Sequence, residues 1–124
     1  METGQRAPAS RKLVERYGGG GFRIAGEGFK GSVLIASTLA LAWPPTQLAE
    51  VTIESLAPLL AAGVACDLLL LGCGPRLVPP QPSLREALRR RGVVLEAMDT
   101  GAACRTFNVL TAEERRVAAA LIAV

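Results

Sequence analysis

The sequence predicts an α/β fold, and two features of the chain lead to that expectation. Short apolar runs separated by glycine and proline fill the first 45 residues, which is typical of β-strands joined by tight turns. Further along, Asp67–Leu71, Ser83–Gly92 and Val93–Ala97 have the patterns of a fully buried strand, a helix and a second strand. We therefore expect a βαβ unit with a right-handed crossover, preceded by a β-rich segment. The length of 124 residues fits one domain.

The β-rich segment begins with a strand predicted at Leu13–Tyr17. The four consecutive glycines of Gly18–Gly21 should form a turn, because regular structure tolerates such a run poorly. Phe22–Ile24 and Gly31–Ala36 lie on either side of the sequence AGEGFK, and this arrangement predicts a hairpin with that sequence as its turn. Leu39–Trp43 is expected to be a further strand, since it is apolar and ends at a pair of prolines.

Two helices are predicted from polar residues at their starts. The sequence SLAPLLAAG is expected to be a short helix that Ser55 caps and Gly63 ends. Ser83 and Glu86 have the spacing of a capping box, so a second helix should begin there and end at Gly92.

The end of the chain is also predicted to be helical. Thr111 and Glu114 have the spacing of a capping box, and the alanine-rich sequence VAAALI follows them. The first twelve residues lead into no apolar segment of a secretory signal. Residues 1–10 are expected to form a mobile tail, and the alternative is a truncated targeting peptide. The predicted α/β domain therefore spans residues 11–124.

Composition excludes several classes of function. The chain has no histidine, which is the usual general base and a common zinc ligand. Its three cysteines, Cys66, Cys73 and Cys104, form no CxxC pair, so neither a structural zinc nor a disulfide framework is expected. We predict no metal, no cofactor and no catalytic residue.

Charge and hydropathy predict a soluble protein with no nucleic-acid partner. The 14 Lys and Arg residues exceed the 11 Asp and Glu residues by only three, and the surplus is not gathered into one long stripe. The longest weakly polar run, Ser32–Trp43, has about a dozen residues, whereas a membrane-spanning helix needs about 20. No transmembrane segment is therefore expected.

The densest group of polar side chains lies in two loops that follow predicted strands. Ligands of open α/β sheets bind beyond the carboxyl ends of parallel strands. The loops Gly72–Pro75 and Met98–Asn108 leave such ends, so neighbouring strands would place both loops around one crevice. The candidate crevice residues are Gly72, Cys73, Gly74, Thr100, Gly101, Cys104, Arg105, Thr106 and Asn108.

Two interpretations of these residues stay open. In the first, Asp99 or Thr100 caps a helix whose free N–H groups attract an anion, and the helix dipole favours the thiolate of Cys104. In the second, which we favour, Cys104 is a small buried apolar residue. Thr106 and Asn108 would then satisfy backbone groups in a tight connection to the next helix.

Three segments, in this order, resemble one known family: LLLLGCGP, LREALRRRGVVLEAMDTGAACRTFNVL and ERRVAAALI. It is the family of the NADH:ubiquinone oxidoreductase (complex I) assembly factor 3 and its uncharacterised prokaryotic relatives. The upstream segment YGGGGFRIAGEGFKGSVLI also resembles the start of that family. The resemblance covers residues 13–123 and implies a single compact α/β domain with a mixed central sheet, flanking helices and an additional N-terminal β portion.

The resemblance is closer at some candidate positions than at others. Cys104 and the segment Thr106–Asn108 match the family pattern, whereas the position of Arg105 is less fixed. Cys73 stands where the family more often has threonine or serine, which argues against a role for its thiol.

For the eukaryotic member, the resemblance implies a role in assembling a respiratory membrane complex through protein contacts, and for prokaryotic members it implies no established activity. We therefore expect an interaction or assembly protein of the bacterial cytoplasm. Its partners would be respiratory-complex subunits or another assembly factor, and a homo-oligomer stays open. The sequence favours a non-enzyme without deciding the matter. The alternative is a small-molecule or anion-binding protein, or an enzyme of unrecognised type, that uses the crevice.

Overall fold

A five-stranded mixed sheet lies at the centre of the protein, and a three-stranded antiparallel sheet packs beside it. The computed structural model describes residues 11–124, so the tail predicted at residues 1–10 lies outside the described residues. The strands, in chain order, are β1 Val14–Gly18, β2 Gly21–Ile24, β3 Glu27–Lys30, β4 Ser32–Ala36, β5 Leu39–Trp43, β6 Leu68–Gly72, β7 Val94–Met98 and β8 Val117–Leu121. The α-helices are α1 Ala57–Leu60, α2 Pro82–Arg89 and α3 Thr100–Ala112, and 3-10 helices at Leu48–Glu50 and Glu54–Leu56 precede α1.

The larger sheet has the strand order β5-β4-β8-β6-β7. Strand β6 pairs in parallel with β7 and β8, whereas β4 pairs antiparallel with β5 and β8. Leu69, Leu70 and Leu71 of β6 are buried on both sides of the sheet, as an uninterrupted apolar run predicts. The β6–α2–β7 unit and the mixed α/β fold with an N-terminal β portion are both confirmed.

The prediction of a helix through VAAALI is wrong, because Val117–Leu121 forms strand β8 at the middle of the sheet. All five residues of β8 are buried. Thr111 lies near the end of α3 instead of opening a helix, and Glu114 follows with a φ of 64°. Pairing with β4 and β6 outweighs the helix propensity of alanine, since propensity is weaker than tertiary context.

The hairpin predicted around AGEGFK is also wrong. Part of that sequence is strand β3, which pairs with β2 through a two-residue turn at Ala25 and Gly26. Both turn residues have positive φ, 51° and 82°, which is the backbone that a tight hairpin turn requires. Strand β4 pairs in the other sheet.

The predicted helix caps at Ser55 and Ser83 are displaced. Thr52 Oγ1 accepts from the N–H of Ser55 at 3.1 Å, and Ser55 Oγ accepts from the N–H of Thr52 at 3.0 Å. This reciprocal pair begins three residues earlier than we predicted. Helix α2 follows Gln81, whose side chain makes no capping bond, and its first residue is Pro82, whose fixed φ suits a helix start.

The five-stranded sheet buries an apolar cluster on each face. One cluster packs against the region of α1 and α2 and includes Leu59, Leu88 and Trp43. The other joins α3 and the three-stranded sheet to the centre of the fold and includes Phe107 and Phe22. Within residues 11–124, no helix is long and apolar enough to cross a membrane.

Candidate functional site

The two segments predicted to line a crevice, Gly72–Pro75 and Met98–Asn108, lie side by side, because β6 and β7 are neighbours. The N–H of Cys73 donates to the carbonyl of Met98 at 2.8 Å, and the N–H of Thr100 donates to the carbonyl of Gly74 at 2.8 Å. Most of the second segment is the start of α3, so no tight connection to a later helix exists at Thr106–Asn108.

Thr100, which follows β7, forms side-chain hydrogen bonds to the segments that follow β6 and β8. Its fully buried hydroxyl accepts from the N–H of Gly74 at 2.9 Å and donates to the carbonyl of Ile122 at 2.8 Å. The N–H of Ile122 in turn donates to the carbonyl of Gly72 at 3.0 Å. A Cβ atom at Gly72 would lie only 3.0 Å from this hydroxyl and from Leu121 Cδ2, so the absence of a side chain there lets α3 approach β6.

The first turn of α3 is capped by Asp99. Its carboxylate accepts from the N–H of Ala102 at 2.9 Å, and its carbonyl accepts from the N–H of Ala103 at 2.9 Å. The N–H of Thr100 is bound to Gly74, so these donors of the helix start have acceptors within the protein.

Cys104 lies in the apolar cluster beneath α3, with only 2% of its surface exposed. Burial raises the pKa of its thiol to about 12, against the smaller opposing effect of Arg105. Cys73 is also buried, and its thiol lies 3.2 Å from the carbonyl of Val78 as a hydrogen-bond donor. Among residues 11–124, no three Cys, Asp or Glu side chains are grouped so that they could hold a metal ion.

Three of the remaining candidate residues on α3, Gly101, Arg105 and Asn108, lie against strand β1. The side-chain amide of Asn108 binds both backbone groups of Val14. Arg105 Nη1 donates to the hydroxyl of Tyr17 at 2.8 Å, and a Cβ atom at Gly101 would come within 2.8 Å of the same hydroxyl. Thr106 is half-buried. Several of the predicted site residues thus take part in two structural junctions, one at the ends of β6 and β8 and one at β1.

A second polar surface was missed from the sequence. One side of the three-stranded sheet, here called the cationic face, carries three cations and three glycines. Its residues are Arg16, Gly18, Gly21, Arg23, Gly28 and Lys30. The signal is a repeat seven residues apart, Gly-Phe-Arg at residues 21–23 and Gly-Phe-Lys at residues 28–30, in which cation and phenylalanine alternate as in a strand.

The structure is a mixed α/β domain with an additional three-stranded antiparallel sheet. Side chains of α3 bind that sheet to the rest of the domain. The chain belongs to the family described as protein of unknown function (DUF498/DUF598), which residues 14–122 match. Similar proteins include an assembly factor of NADH dehydrogenase and an uncharacterised bacterial protein, so the resemblance found in the sequence is confirmed.

Two relatives illustrate the range of this family. The chain is 32% identical over 95% of its length to NADH dehydrogenase [ubiquinone] 1 alpha subcomplex assembly factor 3 of Xenopus tropicalis, and it covers 64% of that protein. It is 38% identical over 88% of its length to an uncharacterized protein of Rhodobacter capsulatus, of which it covers 82%.

Solved structures share the fold. A Bartonella henselae protein described as an outer membrane protein has 36% identity and a TM-score of 0.84, with 94% of this chain and 98% of that chain covered. A Bordetella pertussis protein described as a Mth938-like domain has 29% identity and a TM-score of 0.77, with 98% and 89% covered.

Proposed function

We propose that this protein acts in the assembly of a respiratory NADH dehydrogenase, by binding subunits of that complex or another assembly factor. The observation that carries the proposal is the 32% identity, over 95% of the chain, to an assembly factor of that enzyme. The Rhodobacter capsulatus relative is consistent with a bacterial setting, and we propose that the protein works in the cytoplasm.

The geometry around α3 favours protein contacts over chemistry. Thr100, Asp99 and Asn108 use their polar atoms to hold the fold together. Cys104 is buried with a raised pKa, so a thiolate nucleophile at neutral pH has little support. The alternative of an anion or small-molecule site between the two segments is weaker, because the N–H groups of Thr100, Ala102 and Ala103 at the start of α3 already have acceptors within the protein.

The proposal is tested by purifying a tagged copy, expressed from its own promoter, out of the native cell. We expect subunits of NADH dehydrogenase or an assembly factor to co-purify, and not to do so with an unrelated tagged protein of the same size and charge. A strain that lacks the gene should contain less assembled enzyme in its membranes, measured on native gels, and the wild-type gene should restore it. Normal assembly together with no such partner would contradict the proposal.

A further inference from the structure

The side chains of the cationic face are set by the strand register. Residues opposite one another in a sheet point to the same side. Arg16 lies opposite Arg23, Arg23 opposite Gly28, and Lys30 opposite Gly21. Phe22 points the other way and is 5% exposed. The three cationic side chains therefore project from the same side of the sheet on which three glycines leave the backbone without side chains.

Arg16 and Arg23 are a like-charged pair in direct cross-strand register, an arrangement that costs free energy in an isolated sheet. Glu15 offsets part of this cost, since its carboxylate lies 3.7 Å from Arg23 Nε. The same carboxylate accepts from the N–H of Gly26 at 3.1 Å. A further negative group placed between the two arginines would relieve the remaining repulsion.

An open depression of about 600 Å³ lies at this part of the sheet. It is lined by residues 16–23 and 28–30, and none of them is acidic. A Cβ atom built on Gly28 would meet no atom within 4 Å, so the space above the strand at this point is open. A bound chain can thus lie against the backbone while the cations surround it.

Two glycine N–H groups near the depression already have acceptors within the protein. The N–H of Gly20 donates to the carbonyl of Val124 at 2.7 Å, and the N–H of Gly31 donates to the carbonyl of Gly20 at 2.8 Å. The arginine and lysine side chains are therefore the stronger candidates for recognising a ligand at the depression. Phe22 and Phe29 pair on the opposite side of the sheet, so they provide no stacking surface for nucleic-acid bases on the cationic face.

We propose that the cationic face binds an extended acidic segment of a protein partner. This inference rests on the proposed function and adds the chemistry of the contact. Two neighbouring guanidinium groups can each bind a carboxylate through paired hydrogen bonds. Alternate residues of an extended peptide lie on one side at intervals of about 6.8 Å. Acidic residues at every second position would then meet the cations while the peptide backbone rests on the glycines.

The test measures binding of a fluorescent peptide of about 12 residues, with glutamate at alternate positions, to the purified protein. The comparison probes are the same peptide with glutamine in place of glutamate and a single-stranded DNA oligonucleotide of similar length. We expect binding of the acidic peptide that weakens as salt is added, and much weaker binding of the glutamine peptide.

Three variants locate the site, each checked for folding by circular dichroism and thermal unfolding. Arg16→Glu with Arg23→Glu should weaken peptide binding by about tenfold or more. Arg76→Glu with Arg91→Glu changes the net charge equally at exposed positions outside the face and should leave binding nearly unchanged. Gly28→Ile changes no charge and fills the open space, so it should weaken binding as well.

The outcomes separate this inference from the proposed function. Equal losses in the two double variants, or no effect of Gly28→Ile in a folded protein, would show a general charge effect and overturn the inference. Tighter binding of the oligonucleotide at the same residues would assign the face to nucleic acid instead. If the acidic peptide does not bind but native purification still returns respiratory subunits, the inference fails while the proposed function stands.

Discussion

The side-chain amide of Asn108 bonds to both backbone polar groups of Val14 in strand β1. Its Oδ1 accepts from the N–H of Val14 at 2.9 Å, and its Nδ2 donates to the carbonyl of Val14 at 2.8 Å. The two residues lie 94 positions apart in the chain. The side chain of Asn108 thereby holds strand β1 of the three-stranded sheet against helix α3.

Replacing Asn108 with alanine should lower the free energy of unfolding by about 1–3 kcal/mol, because two partly buried backbone groups would lose their partners. Denaturant unfolding followed by circular dichroism measures this change. The exposed Val109 on the same helix provides the control, and Val109→Ala should change stability by less than about 0.5 kcal/mol. Equal losses in the two variants would contradict a role for the amide.

Thr100→Val should also destabilise the protein by about 1–3 kcal/mol, since it leaves the N–H of Gly74 and the carbonyl of Ile122 unpaired in a buried place. Thr100→Ser keeps the hydroxyl and removes only a methyl group, so it should retain more of the stability. Urea unfolding of the three proteins tests this order. A valine variant as stable as the serine variant would show that the hydroxyl contributes little.

The glycines of the small sheet should differ sharply in their tolerance of a side chain. In Gly21→Ala the new Cβ would lie 2.2 Å from the carbonyl oxygen of Phe29, so the β2–β3 pairing must distort. Gly28→Ala meets no neighbour and should be neutral or slightly stabilising. Thermal unfolding should therefore show a lower midpoint for the first variant only. The same midpoint for both would contradict the pairing between these strands.

The buried thiol of Cys104 predicts a loss of stability in alkali. An unfolded cysteine ionises near pH 8.5, whereas burial raises the pKa of Cys104 to about 12. Between these values the unfolded chain releases this proton and the folded chain keeps it, so stability falls as pH rises. Urea midpoints should decline more steeply above about pH 8.5 in the wild type than in Cys104→Ala. Parallel pH profiles would refute the prediction.

The β6–α2–β7 unit was predictable because its signals are local. The run of leucines in β6 has no polar interruption, and the helix that follows ends before a glycine. By contrast, the alanines of β8 have the highest helix propensity, and only their position between β4 and β6 makes them a strand. Strand β3 was missed because Gly28 interrupts its pattern and the true turn is only two residues long.

The adjacency of Gly72–Pro75 and Met98–Asn108 was predictable from the sequence, but the contacts that these segments make were not. The loop after β6 and the start of α3 meet because their strands are neighbours, which topology suggests in advance. The capping role of Asp99 follows from local sequence and is seen in the structure. The bonds from Thr100 to Ile122 and from Asn108 to Val14 depend on distant segments of the chain, and no local pattern encodes them.

The position of β8 has a consequence for how the protein is made. Strand β8 is the last of the eight to leave the ribosome, yet it lies between β4 and β6 and joins the antiparallel half of the sheet to the parallel half. Until Leu121 has emerged, β4 and β6 each present an unpaired edge, which invites pairing with other chains. The sheet therefore cannot be completed before β8 has been synthesised, and both edges stay available for pairing with other chains until then.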